Sequence, residues 1–379
     1  MGDRTKRIFI SDIHMGDERS LTGSHPYCWF DKNIPFLADF LDKQLHSPDV
    51  KEVVILGDLF DQWIIPSNAA PLTSFADICS NPANKPIIDN LKALAASPEV
   101  KLAYVPGNHD MAMDPTGIST TKQFMENTFP GIRFFCKNTF PWGVFNVAPL
   151  VAEHGNRYCL FNAPDTWTRP GDFLPLGYFI SRMVAFKAAT TGHSQDPHAI
   201  LVHFLKDLIL QPNFVLDMFQ AISQDAGLSP EDTISLSGVP GYTDMTVDEI
   251  GKLFSRLTSE WEKVPGNINV PSAIMGDLEK LSHAASSTYF DPSSHINVVI
   301  FGHTHVPTMV KHYEYNANDP EKTTCRAIYA NSGTWIDSAG EGGSYVETED
   351  VQDEKRLYVR VMRYPGETVI EDYAGFIET

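Results

Sequence analysis

The sequence of 379 residues predicts an α/β fold with a helical insertion. Three observations carry that expectation. Patterns typical of buried strands occupy both ends of the chain, and helical spacings separate the early ones. The middle, residues 160–292, has few strand signals and several helical ones. A chain of this length accommodates a full core plus one added domain. The expected division is a discontinuous core, 1–159 and 293–379, and a helical cap, 160–292.

In chain order, Lys6–Ile10 reads as the first strand and residues 35–45 as a helix, with Phe36, Leu37, Phe40, Leu41 and Leu45 at helical spacing. A second strand covers 53–56. Residues 64–86, rich in Pro, Asn and Ser, read as a long loop, a rim or lid. A helix at 87–96 and a strand at Lys101–Val105 follow, then strands at 132–136 and 144–152. In the middle, Thr246 and Glu249 match a capping box ahead of Ile250, Leu253, Phe254, Leu257 and Trp261. Residues 197–224 form a strongly apolar helical region interrupted by Pro212. The apolar faces here read as helix packing, with an acyl groove as the alternative. Strands at 296–301, 325–330 and 357–363 complete the core. The acidic run 341–354 reads as a solvated loop.

Composition narrows the function. The chain is 42% hydrophobic and 20% charged, and its net charge is −19. Such a surface repels bare nucleic acid, so a general nucleic-acid binder is not expected. Bound divalent cations would counter part of the charge. The five cysteines are scattered, with no CxxC, as in a cytoplasmic protein with reduced thiols. Arg7-Ile8-Phe9-Ile10 already reads as a core strand, so no signal peptide is expected. No uncharged apolar stretch of about 20 residues is present, so no transmembrane span is expected.

The chemistry gathers at strand ends. His303 and His305 follow the run Ile296-Asn297-Val298-Val299-Ile300-Phe301, and Gly302 lets the backbone come close. On an extended backbone, side chains two apart share a side, so both imidazoles are expected to face one point. Asp12 and His14 repeat the spacing after the first strand. Asp58, Asn108 and His154 follow three further strands. In open α/β arrangements, sites form at carboxyl ends of strands. Carboxylate, carboxamide and imidazole without thiolate suit Mn, Fe, Zn or Co better than Ca or Mg. Seven ligands fit two ions, with Asp58 as the natural bridge. His203 is the rival to His154, with core packing as its other reading, while His193 and His198 read as loop and helix-start residues.

The ordered set Asp12-x-His14, Gly57-Asp58-x-x-Asp61, Gly107-Asn108-His109-Asp110, His154-Gly155 and Gly302-His303-x-His305 resembles the calcineurin-like metallophosphoesterase signature. The resemblance covers about 1–155 and 295–365. It implies a four-layer α/β/β/α sandwich with a dinuclear centre, manganese being the first candidate. By that likeness Asp12, His14, Asp58 and His305 would hold one ion, and Asp58, Asn108, His154 and His303 the other. His109 would contact the phosphate and protonate the leaving group, Asp110 would orient His109, and Asp61 would support the centre, with helix capping as its alternative. Two cations about 3.5–4 Å apart can share one water and acidify it towards hydroxide, which attacks phosphorus without a protein nucleophile.

A narrower likeness is to the UDP-2,3-diacylglucosamine hydrolase branch, through Leu56-Gly57-Asp58-Leu59-Phe60-Asp61-x-Trp63 and Leu174-Pro175-Leu176-Gly177. The chain departs from that branch at His109, where the branch has Arg, and at Asn156, where it has Asp. The expected activity is hydrolysis of a phosphodiester or pyrophosphate in a phosphorylated small molecule or lipid-linked substrate, with peripheral membrane contact as an option. Its alternatives are a phosphomonoesterase or phosphoprotein phosphatase, and a non-catalytic scaffold. Arg157 has two readings, steering a phosphate or forming a salt bridge. Asn331 to Trp335 either line the cleft or pack.

Overall fold

The computed structural model describes residues 4–111, 118–136, 143–165, 167–169, 173–192, 213–277, 281–291, 293–314, 324–351 and 356–376. The chain opens with β1 (Lys6–Ile10), α1 (Glu18–Leu21), α2 (Ile34–His46) and β2 (Val50–Leu56). It continues through α3 (Ala76–Ser80), α4 (Lys85–Ala96), β3 (Lys101–Val105), α5 (Ile118–Thr128) and β4 (Arg133–Phe134). A hairpin of β5 (Phe145–Val147) and β6 (Leu150–Ala152) comes next. Helices α6 (Leu176–Thr191) and α7 (Phe214–Asp225) lead to a small ribbon of β7 (Thr233–Ile234) and β8 (Met245–Thr246). Then come α8 (Val247–Phe254), α9 (Leu257–Trp261), α10 (Val270–Asp277) and α11 (Ser282–Tyr289). The chain returns through β9 (Val298–Phe301), β10 (Thr308–Glu314), β11 (Thr324–Asn331), β12 (Gly343–Val351), β13 (Arg356–Tyr364) and β14 (Thr368–Phe376).

Two sheets result, ordered β14-β13-β12-β1-β2-β3-β4 and β10-β11-β9-β6-β5. Alternation along each strand builds the layers. Phe9, Val54, Leu56, Ala103 and Val105 of the first sheet meet Leu150, Ala152, Val298 and Ile300 of the second. The intervening residues Ile8, Ile10, Val53 and Ile55 turn the other way, onto Leu37, Phe40 and Leu41 of α2 and Leu91 and Leu94 of α4. On the far side Val299 and Phe301 pack against Ala284 and Ala285 of α11. The expected α/β/β/α layering is therefore present. Helix α2 illustrates the local causes: Pro35 sits in its first turn and Lys43 and His46 in its last, where they complement the helix dipole.

Among the described residues between β6 and β9, the regular structure is helical apart from the β7–β8 ribbon. Met183, Met218, Phe219, Ile222, Ile250, Phe254 and Trp261 pack into one cluster that also takes in Trp63 and Met111 from the ends of the first sheet. The Thr246–Glu249 capping box forms as expected. The expected helix over 197–224 lies partly outside the described residues, as do His193, His198 and His203; its described end is α7.

Four expectations are corrected. The acidic run at 341–354 is not a solvated loop: its described part is mostly β12, paired between β1 and β13. Its carboxylates are answered from neighbouring strands, Glu347 by Lys6 and Arg360, Glu349 by Arg360, and Asp350 by Arg7 and Lys51. Residues 64–86 are not all loop, since α3 and the start of α4 lie within them. Residues 144–152 are a hairpin, turning at Ala148-Pro149, rather than one strand. The strand at 357–363 is not the last, because β14 follows it, and β10 also went unread.

Candidate metal centre

Each expected ligand sits just beyond a strand: Asp12 and His14 after β1, Asp58 after β2, Asn108 after β3, His154 after β6, and His303 and His305 after β9. The structure brings all seven together, six of them buried and His305 partly so. Ligand atoms of Asp12, His14 and His305 lie within 4.8 Å of one another, and so do those of Asp58, His154 and His303. A third combination, His14, Asp58 and His109, meets the same spacing. His303 and His305 thus join different groups rather than facing one point. The reason is in the backbone. Asp12, His14, Asp58, His303 and His305 all have positive φ, between 52° and 72°, so these turns are not extended. Such conformations are costly for residues with a Cβ and collect at functional sites.

Close backbone packing makes room for this. A Cβ on Gly107 would lie 2.2 Å from Asp58 Oδ1, and one on Gly302 would lie 2.7 Å from Asp12 Oδ2. The strand-end turns also hold one another. His109 N donates to Asp58 Oδ1 at 2.8 Å, and His303 N donates to Asp12 Oδ2 at 2.9 Å. From behind, Thr334 Oγ1 and Trp335 N donate to the Asp12 carbonyl, and Asn331 Nδ2 donates to the Gly302 carbonyl at 2.6 Å. Residues 331–335 are therefore buttresses of the site, a role with no signal in the sequence beyond their place after a strand.

The donor set fits divalent cations. His154 Nδ1 donates to the Leu56 carbonyl at 2.7 Å, which fixes the tautomer and turns Nε2 towards Asn108 Oδ1 at 2.9 Å and Asp58 Oδ2 at 3.2 Å. A neutral Nε2 lone pair facing two oxygens is repulsive unless a positive charge lies among them. His14 Nε2 and His305 Nε2 lie 3.2 Å apart. Asp12 Oδ1 is buried without a hydrogen bond, 3.4 Å from His305 Nε2. Buried lone pairs converging in this way fit divalent cations, and the mix of imidazole and carboxylate fits Mn, Fe, Zn or Co.

Electrostatics agree. Burial opposes ionisation of Asp58, but His154, His109 and His14 outweigh it and hold the carboxyl well below the usual range. Burial also disfavours a charge on His154, yet Asp58 and Asp12 raise it to about 9. A centre that binds protons this firmly is one that cations can occupy in their place.

The carboxylate on His109 is Asp61, not Asp110 as adjacency implied. Asp61 Oδ1 accepts from His109 Nδ1 at 2.9 Å, and its Oδ2 lies 3.0 Å from His14 Nδ1. Asp61 Oδ1 also takes the Trp63 and Ile64 amides at 2.9 Å, so it caps a turn as well. Asp110 points back into the loop, accepting from Gly107 N and Leu59 N. Burial and the nearby Asp58 push its carboxyl up to about 6. Trp63 lies over the His109 ring with centroids 4.5 Å apart, and Trp29 stands 5.0 Å from His14 and 5.6 Å from His109. Arg157 resolves towards its structural reading: Nε and Nη2 pair with buried Glu153 at 2.7 and 3.0 Å.

Residues 5–183 match the family model described as calcineurin-like phosphoesterase. The matched span holds Asp12, His14, Asp58, Asn108 and His154 and ends before His303 and His305. It supports the metallophosphoesterase superfamily for this chain, and with it metal-dependent phosphoester hydrolysis in general. Among solved structures, a conserved uncharacterized protein from Streptococcus pneumoniae, a predicted phosphoesterase, is 9% identical with a TM-score of 0.25, covering 99% of each chain. GAP50, the anchor in the inner membrane complex of Plasmodium, is 10% identical with a TM-score of 0.34, covering 99% of this chain and 89% of that one. Likenesses this distant carry no argument about function. No curated protein matches the sequence. Among the described residues, no helix is long and apolar enough to cross a membrane.

Proposed function

We propose that this chain is a phosphohydrolase with a dinuclear divalent-metal centre, manganese first among the candidates, that cleaves a phosphodiester or pyrophosphate bond. The observation that carries the reading is the convergence of seven ligand side chains from five strand ends, six of them buried and His305 partly so. In it, Asp12, His14, Asp58 and His305 would hold one cation and Asp58, Asn108, His154 and His303 the other. Asp58 would belong to both sets, because its carboxylate lies within reach of both His14 and His154. When bound, the cations supply Lewis acidity, polarising phosphoryl oxygens and acidifying a water for attack.

The remaining work falls to the chain. Asp61 keeps Nδ1 of His109 engaged, which leaves Nε2 to carry the proton delivered to the departing oxygen. Asp61, buried and paired to both imidazoles, favours the charged form of His109. Trp29 and Trp63 flank that ring and keep bulk water away from it.

A diester or pyrophosphate is favoured over a monoester because Arg157, the cation next in sequence to the site, is committed to Glu153 rather than open to a dianion. Residues 160–292 are proposed as a cap that receives the second substituent, set into a core of 1–159 and 293–379. Within this reading the likeness to the UDP-2,3-diacylglucosamine hydrolase branch makes a nucleotide pyrophosphate the first natural substrate class to try, in a cytoplasmic setting. The test is a matched panel of p-nitrophenyl phosphate, bis-p-nitrophenyl phosphate and a nucleotide diphosphate-sugar, assayed with manganese-loaded protein. Preference for the second or third supports the proposal, and preference for the monoester replaces it with a phosphomonoesterase.

A further inference from the structure

Helix α6 carries a charged residue with no place in the scheme above. Arg182 is fully buried, yet none of its acceptors is a carboxylate among the described residues. Its five N–H donors each meet one neutral oxygen: Nε the Ile65 carbonyl at 2.6 Å, Nη1 the Tyr178 hydroxyl at 2.6 Å and the Ser235 carbonyl at 3.0 Å, and Nη2 the carbonyls of Pro66 at 3.1 Å and Ala69 at 2.6 Å. Burying a cation without an anion is expensive. A leucine here would serve helix packing alone, so the arrangement points to what the guanidinium holds.

It holds the segment that wraps His109. Three of its five oxygens belong to residues 65–69, immediately after Asp61-Gln62-Trp63-Ile64. Within that stretch, Gln62 N donates to the His109 carbonyl at 3.0 Å, the Asp61 carboxylate takes His109 Nδ1, and the Trp63 ring covers the imidazole. Tyr178, one turn before Arg182 on the same helix face, sets its ring edge-on to Trp63 with centroids 5.8 Å apart. One helix therefore grips the loop twice, through its carbonyls and through the face of its tryptophan.

We propose that Arg182, with Tyr178, is a positioning residue for His109: it pins residues 65–69 so that Asp61 and Trp63 hold the imidazole in one orientation towards the leaving group. The proposal rests on the role given to His109 above. It makes proton delivery depend on a helix outside the metal-binding turns, so the segment that shapes the substrate cleft also sets the acid in place.

The test is Arg182→Lys, which keeps a cation but offers three donors without the planar fork. Two readouts are taken on folded protein. The first is kcat/KM for two diesters, one with an alkyl leaving group that needs a proton and one with p-nitrophenolate that departs without it. The expected loss is about ten-fold or more for the alkyl diester and within about two-fold for the p-nitrophenyl diester. Equal losses on both, or none, overturn the proposal, because a purely structural role would not discriminate. The second readout is the Nδ1–H resonance of His109 in metal-free protein, assigned with His109→Gln, which is expected to exchange slowly in the wild type and fast in the variant. Unchanged slow exchange overturns the proposal. If the wild type hydrolyses neither diester, the functional reading fails, and the resonance alone decides the positioning. Should Arg182→Lys not fold, Tyr178→Phe is read in the same way. It removes one of the five oxygens and leaves the ring, and about a three-fold selective loss is expected for one hydrogen bond.

Discussion

Asp61 holds His109 by a 2.9 Å bond from Nδ1, while its other oxygen lies 3.0 Å from the Nδ1 of His14. One buried carboxylate therefore orients both a proposed metal ligand and the proposed acid. Asp61→Asn can satisfy only one of those imidazoles as an acceptor. It is expected to lower metal affinity or turnover by about 10–100-fold, the usual effect of losing a carboxylate behind a ligating histidine. Asp110→Asn is expected to act differently, because Asp110 ties the Gly107 and Leu59 amides and does not touch His109. Its melting temperature falls while turnover per bound metal stays near wild type. Calorimetry with metal analysis separates the two, and reversed behaviour would return the orienting role to Asp110.

Gly107→Ala places a methyl 2.2 Å from Asp58 Oδ1 and 2.6 Å from Asp58 N. The backbone atom cannot swing aside, so the Asp58 carboxylate, the proposed bridge, is displaced. Metal content after purification is expected to fall below one ion per chain with the circular dichroism spectrum retained. Full metal content would show that the turn relaxes.

Arg157→Ala is a stability mutant in this account. It strands Glu153, buried and otherwise held by the Tyr158 and Tyr289 hydroxyls, and removing one partner of a buried ion pair costs about 3–5 kcal/mol. Denaturant unfolding is expected to show that loss with KM little changed. A large rise in KM at unchanged stability would instead mean that Arg157 steers the substrate.

The metal-free centre has a defined pH dependence. His154 ordinarily titrates near 6.5 and is raised to about 9 in the fold, where the carboxylates of Asp58 and Asp12 outweigh the effect of burial. Pairing of its imidazolium contributes in full below about pH 6.5 and is lost as pH rises through about 9. Chelator-treated protein is therefore expected to lose melting temperature between pH 6.5 and 9. Metal-loaded protein, in which a cation takes the place of the proton, is expected to hold its own better. Parallel curves would remove the site from the pH response.

The candidate metal-binding turns were legible because each is a strand end with distinctive polar residues, most with a neighbouring glycine, all local features. The backbone that realises them was not. Nothing in Asp12 or His303 announces a positive φ, so the expectation of two imidazoles facing one point gave way to two adjoining groups. Adjacency misled at Asp110, because consecutive residues turn to different sides and the partner of His109 comes from another loop. The acidic run of β12 was misread for a related reason: its charges are balanced by Lys6, Arg7 and Arg360 on strands distant in sequence or not yet paired. Arg182, in a mostly apolar helix, carried no signal until its five acceptors were in place.

Asp58 is proposed to join two cations into one hydrolytic centre. The most direct measurement is metal stoichiometry, with turnover of bis-p-nitrophenyl phosphate, for wild-type and Asp58→Ala protein stripped and reloaded with manganese. Two ions per chain and restored hydrolysis are expected in the wild type, with both lost in the variant. Undiminished hydrolysis by Asp58→Ala, or a wild type that takes up no metal, would contradict it.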